Sequence, residues 1–307
     1  MSARRRSARV GLPITCGELV QGTLDGMPCL VSCPINRYHT AQVGLAGGQG
    51  LSLLTPGRSK TRAALELAMT AWGLAEHVTV HLEGDTPVGR GYGSSTADVG
   101  AALYALAKAG DWIPDPLELA RLAVRIEPTD STLFTGLALF GHRDGSLFES
   151  LGPAPSLGIV VLDPGGCVDT VAFNRTNHRA ELRKLAAQHH EAFDLLREGV
   201  RSSHLGAIGQ AATLSATAHQ SILCNPLLEP CLKWAQDVHA LGLCRAHSGT
   251  LLGILLDPGQ DGDQVLGYLA SRAPGQVAVS LCSLTGGGAM LPDETRAAAT
   301  ELSGGRK

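Results

Sequence analysis

Residues 86–100, TPVGRGYGSSTADVG, place Gly89, Gly91 and Gly93 at alternate positions and then run into small polar residues. Glycine loses more backbone freedom on folding than any other residue, so this spacing calls for a sharp turn or a close approach to the backbone. The flanking sequence sharpens the choice. HVTVHLEG, from His77, alternates as a strand does, and TADVGAALYALAKAG, stopping near Gly110, has helical apolar spacing. A helix opening at Ser94–Asp98 presents unpaired N–H groups and the positive end of its dipole, which together hold an anion well. No Gly-Lys-Ser/Thr follows, so this is not a Walker loop. Gly89 and Gly91 fit a dinucleotide fingerprint, but Ser94 stands where its third glycine belongs. On spacing alone, a phosphate loop and an ordinary strand-to-helix turn both stay open.

Before this loop, ARVGLP, PCLVSCPI, HTAQVGLA and GLSLLTP read as short separate strands, and SKTRAALELAMTAWG as a helix ending at Gly73. After it, PDPLELARLAVRIEP is a punctuated helix: Asp115 caps it, Pro116 fills its first turn, and Glu118 is placed to complete a capping box. Pro128 should end it, leaving Glu127 and Asp130 on a turn. The stretch GLALFGHRDGSLFESLG predicts a hairpin turning at Asp144-Gly145. Beyond a soft boundary near 153–157 come a strand, LGIVVLD, and helices over 179–199, 204–220 and 226–242. Two further strands, TLLGILLD and QVAVSLCSL, flank a helix near 262–272. This order predicts an α+β protein whose two layered units share a cleft.

Composition narrows the function classes. The 307 residues are 44% hydrophobic and 17% charged, which suits a folded chain with a core. With 25 basic and 28 acidic residues, no basic block in the body and only 4% aromatics, a nucleic-acid surface has no support. The eight cysteines form no CxxC pair and mostly sit in apolar runs, as reduced buried thiols of a cytosolic protein do. MSARRRSARV and SGGRK read as solvated tails, and nothing approaches the roughly 20 apolar residues of a membrane span.

The segment PVGRGYGSSTAD resembles the P-x-G-x-G-x-x-S-S phosphate-binding motif of the GHMP kinases. Taken with CGELVQG, LVSCPI, EPTDSTLFTGLALF and AHSGTLLG, in order from about residue 10 to 257, the chain resembles the threonine-kinase branch of that family. That branch makes O-phospho-L-threonine in cobalamin synthesis. The resemblance implies a two-domain α+β GHMP kinase fold. Residues 10–155 would form the nucleotide-binding domain and 156–295 a ferredoxin-like C-terminal domain, with tails at 1–9 and 296–307. It also implies a cytoplasmic small-molecule kinase using ATP and Mg²⁺, without nucleic-acid or membrane partners, a homodimer being left open.

Site roles follow from the same resemblance, residue by residue. Pro87, Gly89, Arg90, Gly91, Gly93, Ser94, Ser95 and Thr96 would cradle the nucleotide phosphates, with Ser95 and Glu127 on magnesium. Asp130 fits the catalytic aspartate that takes or steers the hydroxyl proton. Read without the resemblance, Glu127 and Asp130 are surface groups after a helix. Glu18 would grip the ammonium of an amino acid, with Cys16, Gln21, Thr129, His247 and Ser248 around the same substrate. Glu18 as an edge-strand charge, Cys16 as packing, Gln21 as a turn residue and His247 as structural remain the alternatives. The family's usual P-G-x-x-x-L-x-G-E-H stretch is absent, which weakens sugar substrates, and HSGT replaces its later glycine motif. One pocket methyl discriminates by only about 1–3 kcal/mol, which leaves serine, homoserine or another amino alcohol open as substrate. A catalytically silent sensor on the same scaffold is the other alternative.

Overall fold

A computed structural model describes residues 6–87, 89–166 and 178–291. Strands β1 (Arg6–Leu24) and β2 (Met27–Ala46) form one long antiparallel hairpin. Its turn is Asp25-Gly26, with φ of 50° and 79°. Two left-handed residues give a turn whose twist matches the flanking strands. The short separate strands predicted here are therefore replaced by two long ones. Gly11, Pro13, Gly17 and Pro34 read as breakers, but register shifts between Pro13 and Val20 absorb them. Residues 6–9, predicted as tail, begin β1, where Arg6 pairs with Glu76 and Arg9 with Glu83.

Next come β3 (Gly50–Leu53), α1 (Ser59–Ala71), β4 (His77–Glu83), α2 (Ser94–Ala109) and α3 (Pro116–Val124). Asp115 caps α3 as predicted, accepting from the Leu117 N–H at 3.0 Å. Glu118 completes no capping box; it accepts from Trp72 Nε1 at 2.8 Å. β5 (Leu137–Phe140) and β6 (Phe148–Gly152) form the predicted hairpin, with Gly145 at φ 67°.

The remainder is β7 (Gly158–Asp163), α4 (Arg179–Lys184), α5 (Ala186–Ser202), α6 (Leu205–Ala218), α7 (Leu228–Asp237), β8 (Gly242–Arg245), β9 (Leu252–Leu256), α8 (Gly262–Arg272) and β10 (Ala278–Ser283). The helix predicted to 242 stops at Asp237, His239 turns with φ 54°, and Gly242 opens β8. Four residues, GLCR, are too few to show strand alternation, so β8 was hidden in the sequence. Cys167, the arginines at 4 and 5, and the tail at 296–307 lie outside the described residues.

The main sheet runs β10-β7-β9-β8-β1-β2-β4-β3, with β5 branching from β2 at Leu30↔Phe140. Helix α2 lies on β1 and β2 and is buried almost all round, which its small and apolar sequence permits. Burying Leu103 and Leu106 there contributes about 1.5–3 kcal/mol each. This burial fixes the axis of α2, and so the place of its N-terminus. Helices α5 and α6 pack on each other and on β1. No described helix is long and apolar enough to cross a membrane.

Candidate active site

The glycine loop ends at the start of α2, where Gly93 has φ 62° and no side chain caps the helix. The first N–H groups of α2 are thus without an intrahelical acceptor. The loop is held from two sides. The Thr15 N–H donates to Tyr92 O at 2.8 Å and the Gly17 N–H to Gly91 O at 3.1 Å, while the N–H groups of Thr250 and Leu251 donate to Arg90 O at 2.9 and 3.0 Å. A Cβ on Gly91 would overlap Ala246, and one on Gly249 would overlap the Arg90 carbonyl. Gly91→Ala is therefore expected to destabilise the fold by about 1–3 kcal/mol, through a strained positive φ and overpacking, and to weaken nucleotide binding. Urea unfolding with a fluorescent nucleotide titration checks both.

Behind the loop a buried chain of polar groups ties its entry to the helix. Thr86 Oγ1 lies 2.6 Å from His39 Nε2, His39 Nδ1 lies 2.8 Å from Asp98 Oδ1, and Asp98 Oδ2 lies 3.2 Å from Arg58 Nε. Strand β2, the loop before α1, and α2 are thereby held in one register around the uncapped helix end.

Facing that end is the turn after α3. Asp130 donates its N–H to Thr96 Oγ1 at 3.2 Å, and its Oδ2 lies only 2.6 Å from where a Cβ on Gly93 would sit. Glycine at 93 thus serves both the left-handed backbone and the approach of Asp130. Ser95 Oγ donates to one oxygen of Glu127, and Lys60 Nζ pairs with the other. Burial, then the charges of Glu18 and Glu127, push the Asp130 carboxyl up to about 7, against the hydroxyl of Thr96.

Glu18 enters from β1. Gly17, at φ 61°, would overlap the backbone of Arg245 and Ala246 if it bore a Cβ. The bulge at this glycine lets β8 pair at Glu18↔Arg245 and turns Glu18 toward the cleft. Glu18 Oε2 accepts the His247 N–H at 2.9 Å and lies 3.0 Å from His247 Nδ1. Nδ1 also lies 3.1 Å from Arg245 O, and Nε2 lies 3.1 Å from Ser215 Oγ. Burial and the Arg245 charge hold His247 well below its ordinary value, making this a neutral hydrogen bond. Burial pushes Glu18 up to about 8, opposed by the His247 N–H and the Arg245 charge.

One cleft brings together Glu18, Gln21, Gly89, Gly91, Gly93, Ser94, Ser95, Thr96, Glu127, Thr129, Asp130 and Ser248 from the sequence-predicted set. Four predicted residues fall elsewhere. Cys16 is fully buried in the core, its sulfur close to where a Cβ on Gly253 would lie, because the bulge turns Glu18 and not Cys16 outward. His247 is also fully buried and reaches the cleft only through Glu18. Arg90 Nη1 pairs with Asp163 at 2.9 Å, and Pro87 is exposed at the loop entry without lining the cleft.

Lys60, Leu30, Tyr92 and His142 also line the cleft and were not read from the sequence. Lys60 left one signal: a cation in the first turn of α1, with no acidic residue there, opposes the helix dipole and calls for a distant partner. A neighbouring cavity shares Lys60, Ser94 and Ser95 and extends to Gly57, Arg58 and Thr61. No cluster of three or more metal-ligating His, Cys, Asp or Glu occurs among the described residues.

The model of the GHMP kinases N terminal domain matches residues 59–138, from α1 through the glycine loop to β5. An L-threonine kinase of Salmonella typhimurium is 34% identical over 249 residues, covering 80% of this chain and 81% of its own length. An L-threonine kinase of Citrobacter freundii is 34% identical over 250 residues, covering 80% and 85%. Homoserine kinase from Cytophaga hutchinsonii superposes with a TM-score of 0.69 at 16% identity, covering 94% of this chain and 98% of that one, a likeness of fold. The chain belongs to the GHMP kinases, in the family of the L-threonine kinases.

Proposed function

We propose that this cleft transfers the γ-phosphoryl group of ATP to the side-chain hydroxyl of L-threonine, giving O-phospho-L-threonine and ADP. The observation that carries the reading is the meeting of Asp130 with the uncapped start of α2, where a nucleophile's base and a phosphate cradle share one place. The 34% identity to L-threonine kinases supports the choice of substrate.

The residues present fit magnesium-bound nucleotide. The open N–H groups of Ser94, Ser95 and Thr96 suit phosphate oxygens, and the Ser95 hydroxyl beside the Glu127 carboxylate is the hard oxygen pair that Mg²⁺ takes. Mg-ATP supplies the phosphoryl group and the neutralising charge of the metal. The chain's own residues do the rest by position and electrostatics. Asp130 takes the hydroxyl proton as the oxygen attacks phosphorus. Lys60, at the Glu127 carboxylate, stands between the large cleft and the neighbouring cavity, into which the nucleoside end would extend. Glu18 binds the substrate ammonium, and His247, with Ser215 behind it, holds Glu18 in place.

Residues 156–295 are inferred to form a ferredoxin-like domain beside the nucleotide domain of 10–155. The order strand, helices, two strands, helix, strand, with β10-β7-β9-β8 in the sheet, supports this. The cytoplasm, and a place in cobalamin synthesis, fit the same reading.

Product analysis tests the function. Phosphorus NMR of protein with Mg-ATP and L-threonine is expected to show O-phospho-L-threonine; inorganic phosphate alone would contradict it. Glu127→Gln is expected to raise the magnesium concentration for half-maximal rate about tenfold or more, since a charged ligand becomes neutral. An unchanged magnesium titration would remove Glu127 from the metal site.

A further inference from the structure

His142 stands in the β5–β6 turn, and its carbonyl accepts the Thr129 N–H at 2.9 Å, which fixes it beside the Glu127–Asp130 turn. It lines the cleft while being only 5% exposed. Its Nδ1 is buried without a hydrogen-bond partner. A buried polar atom in that state costs about 1–3 kcal/mol, so one retained at the wall of a cleft points to a partner that arrives with the ligand.

The other groups decide which part of the ligand that is. Asp130 is set for the hydroxyl and Glu18 for the ammonium, both acceptors. An α-carboxylate needs donors. Three cations near the cleft are engaged elsewhere: Lys60 with Glu127, Arg90 with Asp163, and Arg245 with Gln220 Oε1 at 3.0 Å and Leu223 O at 2.9 Å, sealed from solvent. A neutral donor at the cleft wall suits that carboxylate. Burial, then the Arg143 charge, push His142 down to about 3, so its ring is neutral and can carry one N–H.

Resting on the reading that the acceptor is a hydroxy amino acid, we propose that His142 is a specificity-determining residue whose Nδ1–H donates to the substrate's α-carboxylate. It makes the cleft select amino acids over amino alcohols of the same shape.

The test compares L-threonine with 1-amino-2-propanol, which keeps the hydroxyl, methyl and ammonium but lacks the carboxylate. His142→Phe keeps a ring and removes the donor. It is expected to raise KM for L-threonine about 10- to 100-fold, the effect of losing a hydrogen bond to a charged group, with kcat nearly unchanged. KM for 1-amino-2-propanol and the Kd of a fluorescent ATP analogue should stay within about twofold. His142→Asn, which returns an N–H near the Nδ1 position, should recover most of the threonine KM. It also serves if the Phe variant fails to fold. Equal losses for both acceptors, or no loss for either, would overturn the assignment. Wild-type protein inactive on L-threonine and on every hydroxy amino acid would instead overturn the reading beneath it.

Discussion

Asp130→Asn is expected to keep nucleotide binding and to lose about 10²- to 10⁴-fold of kcat, the range of a positioned general base. Asn is nearly isosteric beside Gly93 and Thr96, so the turn should hold its place while the base is gone. The pH profile carries a second signature. With its carboxyl pushed up to about 7, wild-type kcat should rise as pH passes through that value and the base ionises. The variant should lack that limb. A raised folded-state pKa also means that the native state holds more protons than the unfolded chain between about 4 and 7. Wild-type stability therefore falls as pH rises through that window, and Asp130→Asn should lose this part of the fall. Near-normal turnover in the variant would remove Asp130 from the chemistry.

Glu18→Gln should raise KM for L-threonine about 10²- to 10³-fold, because the buried partner of the ammonium loses its charge while the hydrogen bond from His247 survives. Glu18, pushed up to about 8, is largely protonated at pH 7 in the open cleft. An arriving ammonium favours the ionised form, so threonine binding should release close to one proton. Calorimetry in buffers of different ionisation enthalpy reads that proton directly, and Glu18→Gln should abolish it. Wild-type binding with no proton release would place the ammonium elsewhere.

The parts legible in the sequence were those written in local order. The glycine spacing before a helix, the Asp115-Pro116 cap, the Asp144-Gly145 turn and the break at Pro128 each act through neighbours a few residues apart. Glu127 and Asp130 were placed on a turn by Pro128, but their roles came only from the family resemblance. The illegible parts depend on residues far apart in the chain. The bulge at Gly17 exists because β8 approaches from more than 200 residues away, and that bulge decides that Glu18 faces the cleft while Cys16 is buried. His247 was placed at the substrate by the family resemblance, yet its ring packs behind Glu18. Arg90 was aimed at phosphate, and Asp163 at the end of β7 holds it instead. His142 carried no local signal, since only the hairpin's closure on the Thr129 turn brings it to the wall.

ADP release from purified protein with Mg-ATP tests the central claim most directly, with L-threonine, L-serine, L-homoserine, D-threonine and galactose as acceptors. The account predicts strong release with L-threonine and little with the others. Release with homoserine or serine in preference to threonine would keep the kinase and contradict its substrate. No release with any acceptor, while ATP still binds, would contradict the function itself.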